Sequence, residues 1–255
     1  MAPLLSPINI EESASMLCGE ITPLQYRRYW YSDGIAVVTN NGFTANLRIS
    51  RRGMPPTICG GPLDEQYVFS NLHFHWGPNN EEGTEHQING NRYSMEVHMV
   101  HHSHRYKSVQ EAKLYRNGVA VVAIFLQANS ANPYLEMESL VSILSKIKDP
   151  GTTGYIPADK AFSWLRCRAS SSGYYTYVGT LTTSPPNKEG VVWIVYPAPI
   201  SVSPSQVDAF RRLHSYGNKE ISANCSKLQP VNGRKILYCP LSCVSNSLSS
   251  WTEKK

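Results

Sequence analysis

Apolar residues along this chain come in short, strand-sized groups, broken by turn dipeptides at Asn41-Gly42, Gly60-Gly61, Asn89-Gly90, Asn117-Gly118 and Asn232-Gly233. Extended segments between such punctuation predict a succession of strands. The longest apolar run, GVAVVAIFL from Gly118 to Leu126, is rich in β-branched residues and falls well short of the roughly 20 residues a membrane helix needs. It predicts a central buried strand. Two segments carry helical spacing. In NPYLEMESLVSILSKI, Asn132 is placed to cap and Pro133 to enter the first turn, with Leu140, Ile143, Leu144 and Ile147 on one face. In SPSQVDAFRRL, Ser203 and Gln206 have capping-box spacing around Pro204, and Val207 and Phe210 point inward. The pattern predicts one mostly β domain with helices on its outside.

Six of the eight histidines fall between His73 and His102. Residues i and i+2 share a face of a strand but diverge by about 200° on a helix, so His73 and His75 can act together only if NLHFHW is extended. Phe74 would then enter the opposite, core face. The same alternation in SMEVHMVH puts Glu96, His98 and Val100 on one face, with Val97 and Met99 behind. Two neighbouring antiparallel strands would bring His73, His75 and His98 together. Three neutral imidazoles with one open position make a catalytic zinc site, and Glu96 can accept the second N–H of His98. His101, His102 and His104 are expected where the strand exits to solvent. His86 is expected to be a buried hydrogen-bonding residue.

At 255 residues and 41% hydrophobic, the chain is long enough for a full core. Its net charge of +5 comes from scattered pairs such as Arg27/Arg28, Arg51/Arg52 and Arg211/Arg212, which gives no reason to expect nucleic-acid binding. The six cysteines are too scattered for a disulfide scaffold and are read mostly as reduced thiols, with no obvious partner for Cys18. MAPLLSPINI has no basic start followed by a long apolar stretch, so a cytoplasmic location is expected, with secretion as the alternative if the N-terminus is truncated. The Ser-rich residues 239–255 are expected to form a poorly ordered tail after a domain spanning residues 1–238.

The segments SPINI (6–10), GGPL (60–63), LHFHWG (72–77), GTEHQING (83–90), EVHMVHH (96–102), GVAVVAIFLQ (118–127), YVGTLTTSPP (177–186), VVWIV (191–195) and LQPVNGR (228–234) occur in the order and at the intervals of the α-class carbonic anhydrases, which this sequence resembles. The resemblance implies a single mainly β (α+β) domain around a large twisted, mostly antiparallel sheet with peripheral helices. It further implies Zn2+ as cofactor, reversible hydration of carbon dioxide to bicarbonate, inhibition by sulfonamides and a monomeric chain. His73, His75 and His98 match the zinc ligands, and Glu96 matches the acid that orients the third. Thr182 matches the threonine that accepts the proton of the metal-bound hydroxide, and Glu85 the acid that holds that threonine. Thr183 matches a neighbour lining the substrate site, and Val100, Val121, Leu181, Val191 and Trp193 match the apolar wall against which carbon dioxide rests.

The sequence also departs from that family. Phe43 stands where the fast members carry a histidine proton shuttle, and benzene has no titratable proton. Asn71 replaces a longer glutamine behind the first histidine, so that support is expected to pass through water or be lost. The aromatic N-terminal arm has no counterpart, Leu5 replaces a glutamine, and Ser184 reads as an insertion after Thr183.

Overall fold

The computed structural model describes residues 3–19, 23–166, 173–182 and 190–240. Fourteen strands are assigned among them. The first six are β1 (Asn9–Ile10), β2 (Met16–Leu17), β3 (Gln25–Arg27), β4 (Ile35–Asn40), β5 (Ala45–Ser50) and β6 (Thr57–Gly60). There follow β7 (Leu63–Trp76), β8 (Gln87–Ile88), β9 (Met95–Ser103) and β10 (Val119–Ala128). The last are β11 (Thr153–Pro157), β12 (Tyr174–Gly179), β13 (Val191–Val202) and β14 (Leu237–Cys239). Twelve of these form one sheet with the path β11-β4-β5-β7-β9-β10-β13-β12-β14-β2, and β6 with β3 attaches to β7 off that path. Most pairs are antiparallel; β10 with β13 and β14 with β2 are the parallel ones in this sheet.

Alternation gives the sheet two working faces. On one, Leu72, Phe74 and Trp76 of β7, Val97 and Met99 of β9, and Ala120, Val122 and Ile124 of β10 join the larger core. The helices Glu138–Leu144 and Pro204–Arg211 cover it, contributing Leu140, Ile143, Leu144, Val207 and Phe210. On the other face Val100, Val119, Val121, Phe125, Tyr177, Val191 and Trp193 form a second apolar cluster. The run from Val119 to Leu126 is buried throughout, as a central strand must be.

The capping box at Ser203 and Gln206 forms as its sequence indicates. The other helix starts late. Residues Leu135–Met137 are a 3-10 turn and the α-helix begins at Glu138, so Asn132 does not cap it. Gln206 explains the delay, because its side chain accepts from the Tyr134 N–H and donates to the Tyr134 carbonyl, fixing the entry from outside.

β9 also runs further than expected. It stays paired through Ser103, with His101 facing Phe69 of β7 and Ala120 of β10. His101 is therefore fully buried, bonded to the Tyr29 hydroxyl and edge-on to Phe69, rather than leaving for solvent. His102 is half-buried, and only His104 is exposed.

Burial pushes the His101 pKa down to about 3, against 6.5 for a free imidazole. The unfolded chain then takes a proton below about pH 6.5 that the folded chain refuses until about pH 3, so this group lowers stability progressively across that window as pH falls. A His101→Phe variant is expected to show a shallower decline of Tm between pH 6.5 and 4 than the wild type, read by calorimetry. Phe74, wholly buried against Trp164 and Phe210, is expected to cost about 3–5 kcal/mol when replaced by alanine, read by urea denaturation.

Candidate metal centre

The centre begins with a fault in β7. Pairing with β9 slips between Phe69 and Asn71. Before the slip Tyr67 and Phe69 face the large core; after it Leu72, Phe74 and Trp76 do. The inserted residue thus reverses the parity of the strand and turns Asn71, His73 and His75 toward the second face. β9 presents Glu96, His98 and Val100 to the same side, with His73 opposite His98 and His75 opposite Glu96.

The three imidazoles converge with ring centroids 4.5 to 5.3 Å apart, and ligand-capable atoms of His73, His75 and His98 all lie within 4.8 Å of one another. Each ring is held from behind. Asn71 Oδ1 lies 3.0 Å from His73 Nδ1, so the shorter side chain reaches directly, against the expectation of a water bridge or a lost bond. The Asn224 carbonyl is 3.2 Å from His75 Nδ1, and Glu96 Oε1 is 2.7 Å from His98 Nε2. The front atoms are left over. His73 Nε2 and His75 Nε2 are buried without any hydrogen-bond partner, and His98 Nδ1 lies 3.8 Å from Glu85 Oε2.

His86, Glu96 and His98 form a second close group. Its atoms satisfy each other instead: His86 bonds Glu96 at 2.6 Å and the Tyr177 hydroxyl at 2.7 Å. Buried polar atoms are normally paired, so two orphaned imidazole nitrogens aimed at one point mark the place that needs a ligand. The donor set is all nitrogen, which suits zinc, and it leaves a fourth position open.

Charge follows this geometry. Burial, reinforced by the neighbouring His75 and His98, holds the His73 pKa well below its usual value, and burial lowers that of His75. Both are neutral at pH 7, the form that binds a metal. For His98 burial acts downward, but the Glu96 carboxylate overcomes it and raises the pKa. Glu96 is wholly buried, yet His86 and His98, with two backbone N–H donors from Glu85 and His86 at 2.8 Å, hold it well below the ordinary carboxylate range. In Glu85 burial is likewise outweighed, chiefly by His75 and His98, and the Thr182 hydroxyl adds to the lowering. Its Oε1 accepts from the Ser226 N–H at 2.7 Å, whereas Oε2 makes no close hydrogen bond.

The apolar wall lies beside the imidazoles. Val121 faces Val100 on β9 and Trp193 on β13, and the Trp193 ring sits 4.9 Å from that of His98. Val191 belongs to the same cluster and Leu181 packs against it. Phe43 is 69% exposed and meets Tyr216, itself 70% exposed, edge to face. Thr183 and Ser184 lie outside the described residues, as do residues 241–255 of the expected tail.

Residues 4–240 match the family model described as eukaryotic-type carbonic anhydrase. The chain belongs to the eukaryotic-type carbonic anhydrase family. Carbonic anhydrase 5A, mitochondrial, of Rattus norvegicus is 35% identical over 237 residues, covering 91% of this chain and 75% of the relative. The human protein of the same name is 35% identical over 236 residues, with the same coverage of each chain. Carbonic anhydrase 1 of Mus musculus is 32% identical over 239 residues, covering 91% of this chain and 87% of its own length. The chain is thus classed with the carbonic anhydrase enzymes, a family that in general depends on zinc and binds carbon dioxide, bicarbonate and sulfonamides. No helix among the described residues is long and apolar enough to cross a membrane.

Sequence reasoning overlooked several residues that hold this carbonic anhydrase centre together. Asn224 is the most connected. Its Oδ1 accepts from the Trp76 N–H, its Nδ2 donates to the carbonyls of Phe43 and Phe74, and its own carbonyl meets His75. Ser226 bonds both Glu85 and the Thr182 carbonyl, and the Tyr177 hydroxyl links His86 to Ser6. Asn224 and Ser226 lie in an aperiodic loop distant in sequence from the histidines, where no spacing rule applies. Replacing Glu96 by glutamine is expected to weaken divalent-metal binding about 10–100-fold, read by competition with a chromogenic chelator, because His98 loses the charged acceptor that fixes its ring.

Proposed function

We propose that this protein is a zinc-dependent catalyst of the reversible hydration of carbon dioxide to bicarbonate and a proton. The observation that carries the reading is the pair of buried, unpartnered nitrogens on His73 and His75, converging with His98 in a member of the carbonic anhydrase family. His73 and His75 would hold the ion through Nε2 and His98 through Nδ1, since their other ring nitrogens are already engaged. Zinc supplies Lewis acidity that brings the ionisation of water toward neutral pH, an effect for which carbonic anhydrase is itself the general illustration.

The chain's own residues do the rest. Glu96 and Asn71 fix the orientation of His98 and His73 by accepting from their rear nitrogens. Glu85, kept ionised with its pKa lowered in part by the Thr182 hydroxyl, would accept from that hydroxyl, whose acceptor side would then face the cleft and orient a donor there. Val100, Val121, Leu181, Val191 and Trp193 keep water from the side where an apolar, weakly bound substrate must rest. Phe43 at the rim has no proton to relay, so proton release passes to buffer and limits turnover. The reading includes inhibition by sulfonamides, action as a monomer without nucleic acid, and residence in the cytoplasm. Free thiols at Cys18, Cys59, Cys225 and Cys239 support a reducing compartment.

Stopped-flow carbon dioxide hydration on protein of measured zinc content tests the proposal. Sulfonamide-sensitive turnover at about one zinc per chain is expected; full zinc occupancy without turnover would make the chain a binding module on an enzyme's fold. Thr182→Ala should lower kcat/KM about 100-fold with zinc content unchanged, as for misorientation at the reacting centre. In weak buffer, Phe43→His or added imidazole should raise kcat and leave kcat/KM nearly constant, and a variant that gains nothing would refute proton release as the limiting step.

A further inference from the structure

Far from the histidines in the sheet path, β2 lies at one end, paired in parallel with β14. Met16 stands opposite Leu237 and Leu17 opposite Tyr238, and the Cys18 N–H donates to the Tyr238 carbonyl at 2.9 Å. One further step of the same register sets Cys18 opposite Cys239. Alternation sends this pair and the Leu17–Tyr238 pair to opposite faces. Cys239 is buried in the large core, and Cys18, half-buried, packs against that same core. Tyr238 packs against the second cluster instead, while Leu17 is 74% exposed. Neighbouring strands run about 4.8 Å apart, within the roughly 4.4–6.8 Å between Cα atoms that a disulfide accepts.

We infer that Cys18 and Cys239 are a modification site: a dithiol that closes to an intramolecular disulfide on meeting a low-molecular-weight disulfide such as oxidised glutathione. The bond would tie the edge strand β2, only two residues long, to the last described strand of the sheet. Burial, and then contact with the Cys18 thiol, push the Cys239 pKa up to about 12, so Cys239 is a poor first nucleophile. Cys18 is the more accessible of the two and reacts first. Its thiolate attacks one sulfur of the oxidant, forming a mixed disulfide and expelling one glutathione thiolate. Cys239 then loses its proton and attacks the Cys18 sulfur, expelling the second. Two protein thiols become one disulfide, the oxidant becomes two thiols, and those thiols take up both protons.

The other described free thiols are engaged elsewhere, Cys59 with Gln25 and Cys225 with the Trp76 and Gly83 carbonyls. The full-length folded protein is therefore incubated with oxidised glutathione, quenched with an alkylating agent, digested and mapped by mass spectrometry. A Cys18–Cys239 cross-linked peptide two hydrogens lighter than the reduced pair is expected. Tm should rise by on the order of 5 °C, reversing on reduction, and Cys18→Ser should abolish both the peptide and the shift without lowering the basal Tm by a similar amount. A glutathione adduct persisting on Cys18, a bond from either cysteine to Cys167 or Cys243 instead, or both thiols remaining alkylatable would each overturn the inference. Cys239→Ala provides the second check, since it should trap the mixed disulfide on Cys18 whatever its effect on stability.

Discussion

A strand changes the side on which its residues fall only where a residue is added or lost, and the convergence of His73, His75 and His98 depends on one such addition. Without the slip between Phe69 and Asn71, the phase set by Tyr67 and Phe69 would send Asn71, His73 and His75 into the large core, and Leu72, Phe74 and Trp76 into the cleft. Three polar side chains would lose their partners and three large apolar ones their packing. The bulge lets one strand serve both purposes. Upstream it closes the core around Tyr29 and Phe162, and downstream it presents imidazoles to the opposite face while Phe74 and Trp76 anchor it from behind.

Fixing the imidazoles in that cleft requires buried charge, which is tolerable only when every lone pair is engaged. Glu96 meets the condition with two backbone donors and two imidazoles. Glu85 meets it partly, because Ser226 engages one oxygen and the other stays without a close partner beside His98 and Thr182. The unsatisfied atoms of the cleft are therefore Oε2 of Glu85 and the front nitrogens of His73 and His75. They face the same small region, which is what a site poised for a cation and a polar reactant requires, whereas a purely structural network would have closed on itself as His86, Glu96 and Tyr177 do.

Legibility in the sequence follows the range of the interaction. The faces of His73, Phe74, His75, Glu96 and His98 were readable because alternation is a local property, and the Ser203 capping box because its two partners are three residues apart. Properties set from a distance were not. The end of β9 is decided by pairing with Phe69 and Ala120, so His101 looked like a residue leaving the sheet when it is buried in it. The late start of the helix at Glu138 is decided by Gln206, and the reach of Asn71 follows from its place at the bulge. Asn224 and Cys239 come from segments that only the assembled fold brings near His75 and Cys18.

The same logic explains why the two faces need opposite treatment. The larger core is covered by helices and keeps the buried His101 uncharged beside Tyr29. The smaller cluster lies beside the charged groups of the cleft, with Trp193 against His98. Its residues Val100, Val121, Val191 and Trp193 come from three neighbouring strands, with Val121 opposite both Val100 and Trp193, so strand pairing fixes their spacing. Because the imidazoles and the valines alternate on the same β strands as the core residues, the distance between the three imidazoles and the apolar wall is set by the strand repeat and not by loop conformation. Thr182 lies outside that repeat, and the contacts that Ser226 makes with the Thr182 carbonyl and with Glu85 extend the frame to it.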